Sequence, residues 1–194
     1  MLDRDGVMTH LFFHPEGGFD VPYSLNQVQL VDGITDVIAW ANHKDIPVFV
    51  LSNQPAHALG KMTLEMLLAI DKQMIALLKE RGAYIQQIYR CLHHPDAVLP
   101  EMRILCTCRK PEPGLFFAVR DEHGIDLQKS VFVGDKVTDM QAGEKAGCHT
   151  ILYLHQNDLP HKVAAAHAYK AVHTASNHTE TLALVSTLFN SEPI

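Results

Sequence analysis

The chain has 194 residues, 47% of them hydrophobic, which suits one globular domain over 1–194 with a core of its own. A net charge of −6, from 16 basic and 22 acidic side chains, excludes nucleic acid as a bulk electrostatic partner, so an anionic ligand has to be held by a few local cations or a metal. No apolar run approaches the roughly 18 residues of a membrane span and no leader pattern precedes a cleavage site, which predicts a cytoplasmic protein without a membrane partner.

The first stretch of interest is Leu2-Asp3-Arg4-Asp5-Gly6-Val7. At an extended strand end residues i and i+2 point the same way, so Asp3 and Asp5 can face one pocket while Gly6 lets the backbone turn past it. Two carboxylates so placed can divide the labour of phosphoryl transfer, one as nucleophile and one as acid and base. A calcium loop is excluded, because residues 9–12 supply neither the further acidic ligands nor the Glu it needs. Only Met1 and Leu2 precede Asp3, whereas a central strand is expected to bring roughly four to six apolar residues, so the first strand reads as truncated.

Residues 7–32 lack periodicity and read as a long loop or small flap. A helix follows over 33–44, a buried strand over 46–51 ending at Ser52-Asn53-Gln54, and a long helix over 62–81 stopped by Gly82. A strand over 83–89 leads to a cysteine-bearing loop, and Pro111 and Pro113 open a helix over 114–123. The strand 130–133 delivers Gly134-Asp135-Lys136 to the start of the next helix, which runs through Ala146-Gly147. Short strands over 150–154 and 170–173 and a final helix from Asn177 to Phe189 complete the chain. Strands alternating with helices predict an α/β fold, a three-layer Rossmann-like sandwich on a mostly parallel sheet, with ligands beyond the carboxyl ends of its strands.

The polar clusters all fall at such ends, and their order resembles the haloacid dehalogenase superfamily. The chemistry is also argued without that resemblance. Attack of Asp3 on a phosphate needs a cation, and magnesium held by Asp3, the Asp5 carbonyl and Asp135 supplies it. Ser52 would grip phosphate oxygens, Lys110 would neutralise the phosphoryl charge, and Asp139, one turn beyond Asp135, would support them. In the loop 91–108, Cys91-x-His93 and Cys106-x-Cys108 form a Cys3His set that suits a structural zinc, with His94 as second choice for the imidazole and Cys148 assigned to the core.

Together with Arg109-Lys110-Pro111-x-Pro113-Gly114 and Gly134-Asp135-Lys136-x-x-Asp139, these motifs resemble the zinc-containing branch of that superfamily, which includes heptose bisphosphate and histidinol-phosphate phosphatases. The resemblance covers roughly residues 2–155. It implies Asp3 as nucleophile, Asp5 as acid/base, Asp135 as magnesium ligand, Ser52, Asn53, Arg109, Lys110 and Lys136 at the substrate, and Cys91, His93, Cys106 and Cys108 on zinc. It further implies a minimal cap, a monomer and a small phosphorylated metabolite as substrate. The twelve-residue spacer 94–105 resembles the heptose enzymes. Two positions depart from their pattern: Leu59 stands where a cation is usual, and Thr9 where Asn is. A histidinol-phosphate-type phosphatase, or a catalytically silent relative that binds a phosphometabolite or a partner, is the alternative.

Overall fold

The computed structural model describes residues 1–16, 18–155 and 160–191. Its frame is a parallel sheet. Strand β3 (Phe49–Asn53) pairs with β4 (Gln87–Cys91), and β5 (Val131–Gly134) pairs with β6 (His149–Tyr153), which pairs with β7 (His173–Ala175). Leu2 joins the two parts, forming parallel bridges to Val50 on one side and Val133 on the other. The segment before Asp3 therefore lies at the sheet's centre, with Leu2 its bridged residue.

Alternation along the strands sorts side chains into two cores. Val48, Val50, Val131, Val133, Ile151 and Tyr153 face a cluster that includes residues of α1 (Ile34–His43), α2 (Leu64–Glu80) and α6 (His178–Ser191). Phe49, Leu51 and Phe132 face the opposite cluster, with residues of α3 (Gly114–His123) and α4 (Val137–Ala146). Cys148 is buried in that second core, as expected. Helix α5 (Pro160–Tyr169) contributes Ala166 beside Met140 and Leu152 on the same side. The three layers match the α/β expectation.

Elements depart from the sequence reading where turns intervene. Within the stretch expected to be loop, Phe12–His14 (β1) and Gly18–Asp20 (β2) form an antiparallel hairpin, and Val7, Met8, Val28, Leu30 and Val31 are core residues. Such short strands leave no readable period. Strand β4 starts later than expected because the Ala83 amide still bonds to Leu78 at the end of α2. Lys170 has φ +56°, which no strand accepts, so β7 begins at His173. No element was expected where α5 runs. Among the described residues, no helix is long and apolar enough to cross a membrane.

Candidate active site

The site lies past the carboxyl ends of the central strands. The Asp3 amide donates to the Val133 carbonyl at 2.9 Å, fixing the backbone as the chain leaves the sheet. The buried Asp3 carboxylate then meets Lys110, whose Nζ lies 2.9 Å from Asp3 Oδ1, 2.7 Å from Asp139 Oδ1 and 2.8 Å from the Leu51 carbonyl oxygen. Three oxygens thus saturate the three donors of a buried ammonium. Burial pushes the Asp3 pKa up, but Lys110 and Lys136 outweigh it and hold the carboxyl below its ordinary value.

Lys110 arrives here from the cysteine loop. Asn53, the last residue of β3, clips it in place: its Nδ2 donates to the Lys110 carbonyl and its Oδ1 accepts from the Lys110 amide, both at 3.0 Å. Expected at the substrate, the Asn53 amide is occupied at both ends by this backbone. Arg109 is half-buried and donates from Nη1 to the His93 carbonyl at 3.1 Å.

Asp135 is fully buried, and neither of its carboxylate oxygens has a hydrogen-bond partner. Lys162 Nζ approaches Oδ2 at 2.8 Å, an ion contact without hydrogen-bond geometry. Burial raises the Asp135 pKa to about 6, only partly countered by Lys136 and Lys162. Asp139 holds the turn beneath it, Oδ2 accepting from the Asp135 and Lys136 amides at 3.1 and 3.0 Å. Lys136 itself is exposed, its pKa raised chiefly by Asp135. Asp3, Asp135 and Asp139 bring oxygens within 4.8 Å of one another, an arrangement able to hold a cation. Gly6, at φ +89°, passes so close that a Cβ there would fall 2.3 Å from Asp135 Oδ2. The loop is shaped around a buried carboxylate whose two oxygens accept no hydrogen bond, which fits a hard, oxygen-seeking metal.

Asp5 points into a separate polar cluster. Oδ1 accepts from Thr9 Oγ1 at 3.0 Å, and Oδ2 accepts from Arg4 Nε at 3.0 Å and Gln54 Nε2 at 2.5 Å. Ser52, also buried, accepts from the same Gln54 Nε2 at 2.9 Å.

Beyond β4, Cys91, His93, Cys106 and Cys108 gather one donor atom each within 4.8 Å. Their contacts run from 3.2 Å for Cys108 Sγ to Cys91 Sγ, through 3.3 Å for His93 Nδ1 to Cys108 Sγ, to 3.6 Å for Cys91 Sγ to His93 Nδ1 and to Cys106 Sγ. Tetrahedral zinc with ordinary Zn–S and Zn–N bonds spaces its ligands about 3.5–3.8 Å apart, so the four can close on one ion with little movement. His94 stays outside, its Nδ1 accepting from the Asp96 amide at 3.1 Å.

The structure therefore brings Asp3, Lys110 and Asp135 together, sets Asp5 and Ser52 on a shared amide, and leaves Lys136 and Arg109 nearer solvent. Arg4, Gln54, Asp71 and Lys162 were not expected as site residues. The signals for two of them were a cation between two carboxylates at Arg4 and a lone carboxylate on the apolar stripe of α2 at Asp71.

A family model described as "HAD-hyrolase-like" matches residues 107–181. A Yersinia pestis protein named D-glycero-beta-D-manno-heptose-1,7-bisphosphate 7-phosphatase is 34% identical over 151 residues, covering 77% of this chain and 76% of that protein. Among solved structures, a Mesorhizobium loti chain classed as a HAD-like phosphatase is similar at 28% identity and TM-score 0.81, over 100% of this chain and 86% of that one. The D,D-heptose 1,7-bisphosphate phosphatase of B. bronchiseptica, solved with magnesium and phosphate, shares the fold at 24% identity and TM-score 0.78, over 96% of each chain.

Proposed function

Because the chain belongs to the haloacid dehalogenase-like phosphatases, alongside relatives named D-glycero-beta-D-manno-heptose-1,7-bisphosphate 7-phosphatase, we propose that it hydrolyses a heptose bisphosphate through an aspartyl-phosphate on Asp3. An Asp3 oxygen forms a bond to phosphorus as the bond to the sugar oxygen breaks, and Asp5 gives that oxygen its proton. Asp5 then takes a proton from water as the water oxygen attacks the same phosphorus, freeing Asp3 and inorganic phosphate. Lys110 holds Asp3 in line and keeps it ionised, while the Ser52 hydroxyl, accepting from Gln54, has its own proton left to donate to a phosphate oxygen. Arg109, Lys136 and Asn53 complete the phosphate and sugar contacts, Asn53 indirectly by fixing Lys110.

Asp3, the Asp5 carbonyl and Asp135 would hold magnesium, and the ion would supply the charge that offsets repulsion between carboxylate and phosphate. Cys91, His93, Cys106 and Cys108 would hold a structural zinc. Three metal-binding thiols suit a reducing compartment such as the cytoplasm. What carries the proposal is Asp135, a buried carboxylate neither of whose oxygens accepts a hydrogen bond, beside a lysine-held aspartate at a strand end. The test is a panel of heptose 1,7-bisphosphate, sugar monophosphates and histidinol phosphate, each with and without magnesium, ranked by kcat/KM. The bisphosphate should lead, turnover should need magnesium, and Asp3→Asn should abolish turnover while leaving the melting temperature unchanged. A monophosphate in first place would overturn the substrate, and turnover by Asp3→Asn would overturn the mechanism.

A further inference from the structure

Arg4 sits between the two aspartates in sequence but is 1% exposed, with its guanidinium turned onto protein partners. Its guanidinium is satisfied on three sides: Nε donates to Asp5 Oδ2 at 3.0 Å, Nη1 to Asp71 Oδ1 at 2.7 Å, and Nη2 to Gln54 Oε1 at 2.6 Å. A guanidinium only donates, so the Gln54 amide must turn its oxygen to Arg4 and its nitrogen the other way. That nitrogen is the one donating to both Asp5 Oδ2 and Ser52 Oγ. Asp71, brought by α2 and also paired through Oδ2 with Arg90 Nη2 at 2.8 Å, is the anchor that holds Arg4 in this orientation. All five groups from Asp71 to Ser52 are at least 95% buried, so leaving any one without its partner is costly.

We propose that Asp71 is a positioning residue for the reaction. Through Arg4 and Gln54 it fixes both the direction of the Asp5 carboxylate and the hydrogen-bond polarity of Ser52. The order of dependence is Asp71, then Arg4, then Gln54, and finally the two groups that touch substrate. Asp71 is the polar side chain through which α2 enters this hydrogen-bonded cluster. Asp71 is thus a specific electrostatic support on a helix whose other buried residues, Leu67, Ile70, Met74 and Leu78, are packing. This rests on the assignment of Asp5 as the acid.

The test compares kcat/KM for a primary alkyl phosphate, whose alkoxide must be protonated to leave, with that for p-nitrophenyl phosphate, whose phenolate leaves without help. In Asp71→Asn the alkyl-to-aryl ratio should fall about 10-fold or more, since a general acid contributes on the order of 100-fold and small misplacements remove much of that. The Ki of inorganic phosphate should rise several-fold as Ser52 loses its fixed polarity. Gln54→Met, which removes the relay without touching the buried charges, should reproduce both effects and decides the matter should Asp71→Asn fail to fold. Leu78→Ala, on the same helix, should lower the melting temperature and leave the ratio alone. Unchanged ratios in both Asp71→Asn and Gln54→Met, alongside a lowered ratio in Asp5→Asn, would overturn the relay alone. An unchanged ratio in Asp5→Asn would instead overturn the role of Asp5.

Discussion

His178 illustrates what a single buried residue does for this molecule. It is 1% exposed, its ring stacks on Tyr153 at 4.6 Å, and its Nε2 lies 2.8 Å from the Val7 carbonyl, tying the start of α6 to the loop that follows Asp5. Burial lowers its pKa from 6.5 to about 4, against the Val7 hydrogen bond, which acts the other way. Between those values the unfolded chain takes up a proton that the folded chain refuses. The stability from His178 is therefore complete above pH 6.5 and is lost as pH falls toward 4, by about 3 kcal/mol. Asp135 titrates in an overlapping window with the opposite sign, its folded value being raised to about 6. Comparison with a variant isolates the histidine. His178→Gln keeps a donor for Val7 without the titration, and urea unfolding at pH 7, 5.5 and 4 should show the wild type losing about 3 kcal/mol more than the variant. Parallel losses would mean His178 takes up its proton while folded. At this scale the sequence was legible where chemistry demands a residue type in a fixed place, as with Asp3, Lys110 and Asp135. It was not legible for His178 or Gln54, whose partners Val7 and Asp5 lie 171 and 49 residues away, and at Arg4 the flanking carboxylates were visible but the Asp71 partner 67 residues on was not.

The cysteine loop is the element through which a metal would reach the chemistry. It runs between Cys91 at the end of β4 and the Lys110 ammonium under Asp3, carries a 3-10 turn at Pro100–Met102, and is fastened outside itself by Val98 N to Ala58 O and closed by Gly114 N to Thr107 O, both at 2.8 Å. With Val98, Ile104 and Leu105 all exposed, the loop should depend on its four metal donors for much of its shape. Cys106→Ser, or stripping with a strong chelator, should lower the unfolding free energy by on the order of several kcal/mol. Activity should drop about 100-fold through loss of the Lys110 position, since an ångström of misplacement has that effect. Elemental analysis should find one zinc per chain beforehand, and metal-free protein with unchanged melting and turnover would refute the role. The loop was legible because Cys and His spacing is local. Helices α1 and α2 were legible from apolar periodicity, α3 from the prolines and glycine that flank it and α4 from its place after a buried strand, whereas β4 and β7 were misplaced because their starts are set by the Ala83 turn and the left-handed Lys170.

For the whole molecule, alternation of strands and helices was enough to predict the sheet and the edge of it that carries the site, because parallel topology leaves one such edge. The hairpin β1–β2 was hidden, since three-residue strands have no period to read. Leu2 has a consequence for how the molecule opens. Its amide donates to Phe49 O and its carbonyl accepts from Leu51 N, while Asp3 N donates to Val133 O, each at 2.9 Å, so this one short segment stitches β3 to β5. Any breathing that parts the two halves of the sheet also takes Asp3 off its seat. Native-state hydrogen exchange should find the Leu2, Asp3 and Leu51 amides exchanging only through global unfolding, with the full denaturant dependence of that event. Exchange at Asp3 through a smaller opening would reveal a partly unstitched form that still carries a folded core, and would separate the lifetime of the catalytic site from that of the fold.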